Sequence, residues 1–150
     1  MTDETGGLDA PTPEDVRRWR AAAKDDNVDA MCNLGLLCYQ NGQLVGSDSA
    51  ESWWVTAAKK GHADSMLNLG LLRYEQDRVV GDNSAAHWWV LSAEGGNVDA
   101  MCNLGLLRHA QTRLTGDDSA EAWWTKAAAA NHEDAAHNLD LLRAELAESP

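Results

Sequence analysis

The chain has 150 residues, 44% of them apolar, and a formal net charge of −12. That apolar share is too high for a disordered chain, and no apolar run reaches the roughly 20 residues of a membrane-spanning helix. The acidic balance repels nucleic acid and anionic membrane and suits a basic partner.

There is no Phe and no Ile, while Ala and Leu are abundant. Few β-branched residues among many strong helix formers point to an all-α protein. The opening stretch carries Asp3, Glu4, Asp9, Glu14 and Asp15. It has neither the basic nor the apolar region of a signal peptide, so with Met1 as the start a cytoplasmic protein is expected. The cysteines are Cys32, Cys38 and Cys102. Cys32 and Cys38 would diverge by about 120° on a helix, too far for a bridge, and reduced buried thiols are expected.

In chain order, residues 1–12 read as a flexible N-terminal segment. Thr12-Pro13-Glu14-Asp15 then reads as a helix start: a capping hydroxyl, a proline in the first turn, and acids at the positive end of the dipole. The helix is expected over 13–25, with Trp19, Ala22 and Ala23 on its apolar face.

From there the sequence repeats. Asn33-Leu34-Gly35-Leu36-Leu37 returns at Asn68 and Asn103, and at Asn138 with Asp140 in place of the glycine; each Asn follows the last by 35 residues. Trp53-Trp54, Trp88-Trp89 and Trp123-Trp124 keep the same step. Self-similarity at this period marks a helical repeat array. First helices of each unit (A helices) are expected over 28–40, 63–76 and 98–111, after Asn27, His62 and Asn97. Asp26, Gly61, Gly96 and Asn131 precede these starts and a fourth, and all tolerate the left-handed backbone of a helix C-terminus.

The links within units, 41–47, 77–82 and 112–117, keep Gly46, Gly81 and Gly116 in register. Their apolar residues, Leu44-Val45, Val79-Val80 and Leu114, are expected to tuck under the turn. Second helices (B helices) start at apparent capping boxes, Asp48 with Glu51 and Asp118 with Glu121; Asn83 keeps the cap without the Glu. Ala50, Trp53, Trp54, Ala57 and Ala58 form one apolar stripe, and both Trp of each pair are expected in the core. The last element, 133–147, is an A helix without a partner.

The count is eight helices: one B, three A–B pairs over about 28–60, 63–95 and 98–130, and one A. Residues 13–147 read as one domain. Arg18 replaces the first Trp at the front, and Asp140 replaces the glycine at the back, where no B helix follows. Both departures fit the caps of a solenoid.

Ala50-Glu51-Ser52-Trp53-Trp54-Val55-Thr56-Ala57-Ala58, then Gly61-His62-Ala63-Asp64, together with the Asn-Leu-Gly phrase, resemble the Sel-one-like repeat (SLR), a branch of the tetratricopeptide repeat (TPR) superfamily. The resemblance covers about residues 13–142. It departs at Cys38, Arg73 and Arg108, where the family usually has Tyr; Tyr39 and Tyr74 come one residue later. The resemblance implies a right-handed α-solenoid of antiparallel helix pairs, with a concave face of A helices that binds proteins or peptides. It implies an adaptor or scaffold. No cofactor and no catalytic residue is expected.

Candidate binding residues follow the repeat. Asn33, Asn68, Asn103 and Asn138 would offer amides to an extended peptide, or would hold neighbouring helices in register. Asp29, Asp64, Asp99 and Asp134 would make that groove acidic, or would serve the helix dipoles. Tyr39, Tyr74 and His109 would add aromatic contacts to a ligand, or pack on the adjacent helix. Arg73, Arg108 and Arg143 read as a solvated row of weak ion pairs. Cys102, His109 and His137 have metal-binding chemistry without a recognised spacing, and no metal is expected. No phosphate loop, nucleophile elbow or paired-carboxylate motif occurs. The expected function is a cytoplasmic, bacterial adaptor for a protein or peptide, more basic than acidic, with no nucleic acid or membrane. A self-associating structural solenoid is the alternative, and a hydrolase on a repeat scaffold a remote one.

Overall fold

The computed structural model describes residues 10–148, and among these it contains eight helices and no strand. They are α1 (Pro13–Lys24), α2 (Val28–Gln40), α3 (Ala50–Ala58), α4 (Ala63–Glu75), α5 (Ala85–Glu94), α6 (Val98–Ala110), α7 (Ala120–Ala129) and α8 (Glu133–Glu148). Most of the segment expected to be flexible lies outside the described residues. Within them, Thr12 caps α1: its hydroxyl accepts from the Asp15 backbone N–H at 3.2 Å, and the Asp15 carboxylate accepts from the Thr12 N–H at 3.0 Å.

The chain forms two compact units that divide within α3, between Trp53 and Trp54. In the first, α1 packs on α2, and Ala23, Ala30, Met31, Leu34 and Cys38 are buried. In the second, each helix from α4 to α8 packs on the next. Trp89 and Ala93 of α5 meet Leu104 and Leu107 of α6. Trp124 and Ala127 of α7 meet Leu139 and Leu142 of α8. The alternation of bulky indoles with Ala explains the composition: each Trp buries roughly 150–250 Å², several kcal/mol at about 25 cal/mol per Å².

The repeated glycine is where that indole lands. A Cβ on Gly70 would fall inside the Trp89 ring, and one on Gly105 inside the Trp124 ring. On α8, where Asp140 takes the place of the glycine, that residue is exposed. The helix ends expected to be left-handed are so: φ is 64° at Asp26, 85° at Gly61, 89° at Gly96 and 65° at Asn131.

The links are closed by repeated bonds. The Ala50, Ala85 and Ala120 N–H groups donate to the Gln43, Arg78 and Arg113 carbonyls, each at 2.8 Å. Three expectations for this region are corrected. The B-helix caps are the serines, one residue later than read: the Ser49, Ser84 and Ser119 hydroxyls accept from the N–H groups of Ser52, His87 and Ala122. In the first repeat the box closes through Ser52, whose hydroxyl accepts from the Ser49 N–H at 3.0 Å, and not through Glu51. Of the apolar link residues, Leu44, Val79 and Leu114 are half-buried, whereas Val45 and Val80 are exposed. One side chain of each pair is covered and its neighbour faces solvent. In each Trp pair only the second, Trp54, Trp89 or Trp124, is buried; the first is half-buried.

Candidate functional site

The first Trp of each pair is held by a polar latch. Trp53, Trp88 and Trp123 donate through Nε1 to Asp48, Asn83 and Asp118 at 2.7, 2.7 and 2.8 Å. These Asx residues, set free by the serine caps, also accept from arginine. Arg73 Nε lies 3.2 Å from the Asn83 carbonyl and 3.3 Å from its side-chain oxygen. Arg108 Nε lies 2.9 Å from Asp118. Gln76 and Gln111 accept from the same guanidinium groups at 3.1 and 3.2 Å.

Arg73 is 1% and Arg108 7% exposed, so neither belongs to a solvated row. A buried cation needs hydrogen bonds and a counter-charge: Asp118 supplies both to Arg108, whereas the neutral Asn83 supplies Arg73 with hydrogen bonds alone. Arg143 alone has the expected character, an exposed 3.4 Å pair with Glu121. In the first repeat Cys38 stands where the arginine would be, and Arg20 of α1 reaches Asp48 at 2.8 Å instead. Hydrogen bonds from Arg20 and Trp53 hold the Asp48 carboxyl below its usual range. At Asp118 burial pushes upward, but hydrogen bonds from Arg108 and Trp123 and the charges of Arg108 and Arg113 outweigh it. Burial raises the thiols of Cys38 and Cys102; Cys32 is half-buried.

The A helices present a different surface. Asp99, Asn103 and Leu106 of α6 and Asp134, His137 and Asn138 of α8 line one groove, with His132 and Cys102, of about 440 Å³. The amides of Asn103 and Asn138 make no hydrogen bond among the described residues. Asn68 is half-buried and has a partner in the fold. Asn33 lies in the first unit, on a groove of about 560 Å³ beside Trp19, Leu36 and Gln40.

The aspartates link successive A helices. Asn97, the N-cap of α6, donates to Asp64 of α4 at 2.8 Å. His132, preceding α8, lies 3.2 Å from Asp99 of α6. Asp29 is exposed and, like Asp64, already engaged. The aromatic candidates sit against the second Trp of their own repeat: Tyr74 on Trp89 at 5.7 Å and His109 on Trp124 at 5.6 Å between ring centroids. His109 also lies 3.7 Å from Glu145. Tyr39 is half-buried and partnered.

Sequence reading overlooked the residue after each repeated glycine. Leu36, Leu71, Leu106 and Leu141 are 44%, 42%, 49% and 57% exposed. They follow the Asn ladder by three residues, hence share its helix face. Their signal was the pentapeptide itself, since Leu34, Leu36 and Leu37 cannot all face one core.

Two other arrangements bear on chemistry. His62 Nδ1 lies 2.9 Å from the Ser65 hydroxyl, but it also accepts from the Ser65 N–H at 3.2 Å. Ser65 is fully buried, so the pair caps α4 and presents no nucleophile. Among the described residues no group of three or more His, Cys, Asp or Glu is placed to hold a metal ion, and no helix is long and apolar enough to cross a membrane.

No family model and no curated protein matches the chain. Among solved structures, it is similar to a Sel1 repeat protein from Oxalobacter formigenes, with a TM-score of 0.64 and 25% identity, over 81% of this chain and 51% of that one. It is also similar to a protective antigen present in uropathogenic Escherichia coli strains, which displays an SLR fold, with a TM-score of 0.66 and 25% identity, over 83% of this chain and 27% of that one. The chain therefore spans about half the length of the first and about a quarter of the second. With the repeated phrases and the helix pairs, these likenesses show that the chain has the SLR fold, an all-α solenoid.

Proposed function

We propose that this protein is a non-catalytic adaptor or scaffold that binds a protein, or an extended segment of one, on its A-helix face. The observation that carries the reading is the pair of unengaged amides, Asn103 and Asn138, in one groove with Asp99 and Asp134. Each amide can donate and accept, which matches a peptide backbone without demanding its sequence. No Lys or Arg lines the groove, and with the net charge of −12 a basic partner is favoured over an acidic one or a nucleic acid. Within the second unit, Asn68, Asp64 and the exposed rings of Tyr74 and His109 extend the surface; Asn33, Asp29 and Tyr39 hold the same register positions on α2 of the first unit. A reducing, cytoplasmic setting suits three cysteines with no disulfide among them.

The test is capture by immobilised protein, wild type against Asn103→Ala with Asn138→Ala. Loss of the captured partner with helicity and melting unchanged supports the reading. Retention of the partner by the double variant sinks it. The exposed leucines support self-association as a second reading. Sedimentation over a range of concentrations separates the two, because a strict monomer at high concentration eliminates self-assembly.

A further inference from the structure

We propose that His132 is a proton-sensitive clasp between α6 and α8, closed by the neutral ring and opened at its α8 side by the charged one. Both ring nitrogens are committed. Nδ1 accepts from the Ala135 backbone N–H at 3.2 Å, which caps α8. Nε2 lies 3.2 Å from the Asp99 carboxylate of α6. A ring nitrogen that accepts an N–H carries no proton, so the neutral ring keeps its hydrogen on Nε2 and donates it to Asp99. A further proton can enter only at Nδ1. There it turns the acceptor into a donor facing another donor, at the positive end of a helix. The charged ring keeps Asp99 and lets go of the α8 backbone.

The other repeats supply the comparison. At the same register position Asn97 accepts from the Ala100 N–H at 2.8 Å and donates through Nδ2 to Asp64 of α4 at 2.8 Å. Asn27 caps α2 in the same way, at 2.8 Å from the Ala30 N–H. Asparagine thus makes both bonds with no proton to gain, whereas histidine changes charge between about pH 5 and 8. His62 caps α4 through Nδ1, but the Ser65 hydroxyl lies 2.9 Å from that nitrogen and could accept from it once protonated. At the register position of Ser65, α8 has Ala135, which offers no such acceptor.

The His132 side chain is 18% exposed. Asp99 and Cys102 of α6 and Asp134 and His137 of α8 line the groove beside it, and Glu133 follows it in the chain. On α7, Glu121 is paired with Arg143, and Lys126 lies over the Trp123 ring at 4.2 Å. Among the described residues Asp99 is therefore the charged group that the ring contacts. The first turn of α8 carries Asp134, so the clasp acts on one wall of the groove, whatever the groove binds.

The test is NMR of the full chain, titrated from about pH 7.5 to about pH 5, the range in which histidine changes charge. At the upper end the ring-nitrogen shifts of His132 are expected to show the Nε2–H form. The Ala135 N–H has no acceptor within its own helix, so the cap alone protects it from exchange. Its protection, corrected for the intrinsic pH dependence of exchange, is expected to fall at least about fivefold with the midpoint of the His132 ring, as a lost cap requires. His132→Asn is expected to keep that amide protected throughout, as Asn97 does for Ala100. Protection that stays constant while the ring titrates overturns the inference. So do an Nδ1–H ring at the upper end, a ring still neutral at the lower end, and an equal loss of protection in His132→Asn.

Discussion

Asp118 stands between two donors that the solenoid cannot leave unsatisfied, the buried guanidinium of Arg108 and the indole of Trp123. Asp118→Ala should destabilise the protein by about 1–3 kcal/mol, the cost of stranding a buried donor, read from denaturant unfolding. Asp118→Asn should cost much less, because Asn83 fills the same role in the preceding repeat. The carboxyl titrates below its ordinary value in the folded state. Its contribution is therefore complete above the unfolded pKa of about 3.9 and is lost as pH falls through the lower folded value. Asp48 acts in the same window. Melting followed from neutral to acidic pH should show this loss, and Asp118→Asn should flatten it. Thr112 has φ of 56° where the first repeat has Gly42 at 73°. Such backbone costs a β-branched residue about 1 kcal/mol or more, so Thr112→Gly should raise the melting temperature. An unchanged or lower melting point would count against strain there. None of this was legible in sequence. The arginine and its acceptor are ten residues apart, across a link whose closure the sequence does not reveal, and an Arg near acids resembles an ordinary solvated pair.

The elements were far more readable. Helix existence, the left-handed junctions at Asp26, Gly61, Gly96 and Asn131, and the close approach at the repeated glycine all follow from residue types at fixed register. The caps were misplaced by one because Asp and Ser are both good caps and stand side by side; only the closed link shows that the serine turns inward. Its hydroxyl donates to the glycine carbonyl three residues back, from Ser49 to Gly46 at 2.8 Å and from Ser119 to Gly116 at 2.6 Å. Ser119→Ala should therefore cost about 1 kcal/mol. Gly105→Ala should cost more, at least about 1–3 kcal/mol, because the methyl meets the Trp124 ring in a packed core. Thermal melts of the two variants give the ranking directly; a Gly105→Ala protein as stable as wild type would mean that α7 does not approach α6 as described.

At the scale of the whole molecule, the repeat builds the fold and, on the A helices of the second unit, leaves Asn103 and Asn138 without a hydrogen bond among the described residues and Leu71, Leu106 and Leu141 exposed. The candidate site was half legible. The Asn ladder was visible as a register, but the division of labour within it was not: Asn68 is engaged in the fold, while Asn103 and Asn138 meet in a groove. The leucine row was hidden because Leu reads as core wherever it falls. The aspartates turned out to serve neighbouring A helices as well as the groove, since a helix start reaches back one repeat through Asn97 or His132. Binding of a basic partner to this acidic surface should weaken as salt rises.

The most direct measurement is chemical-shift mapping of the side-chain amide groups while a captured partner is titrated in. The Asn103 and Asn138 NH₂ resonances, with the Leu106 methyls, should move together and saturate with the binding curve. Shifts confined to the B helices, with these amides and methyls unmoved at saturation, would contradict binding on the A-helix face.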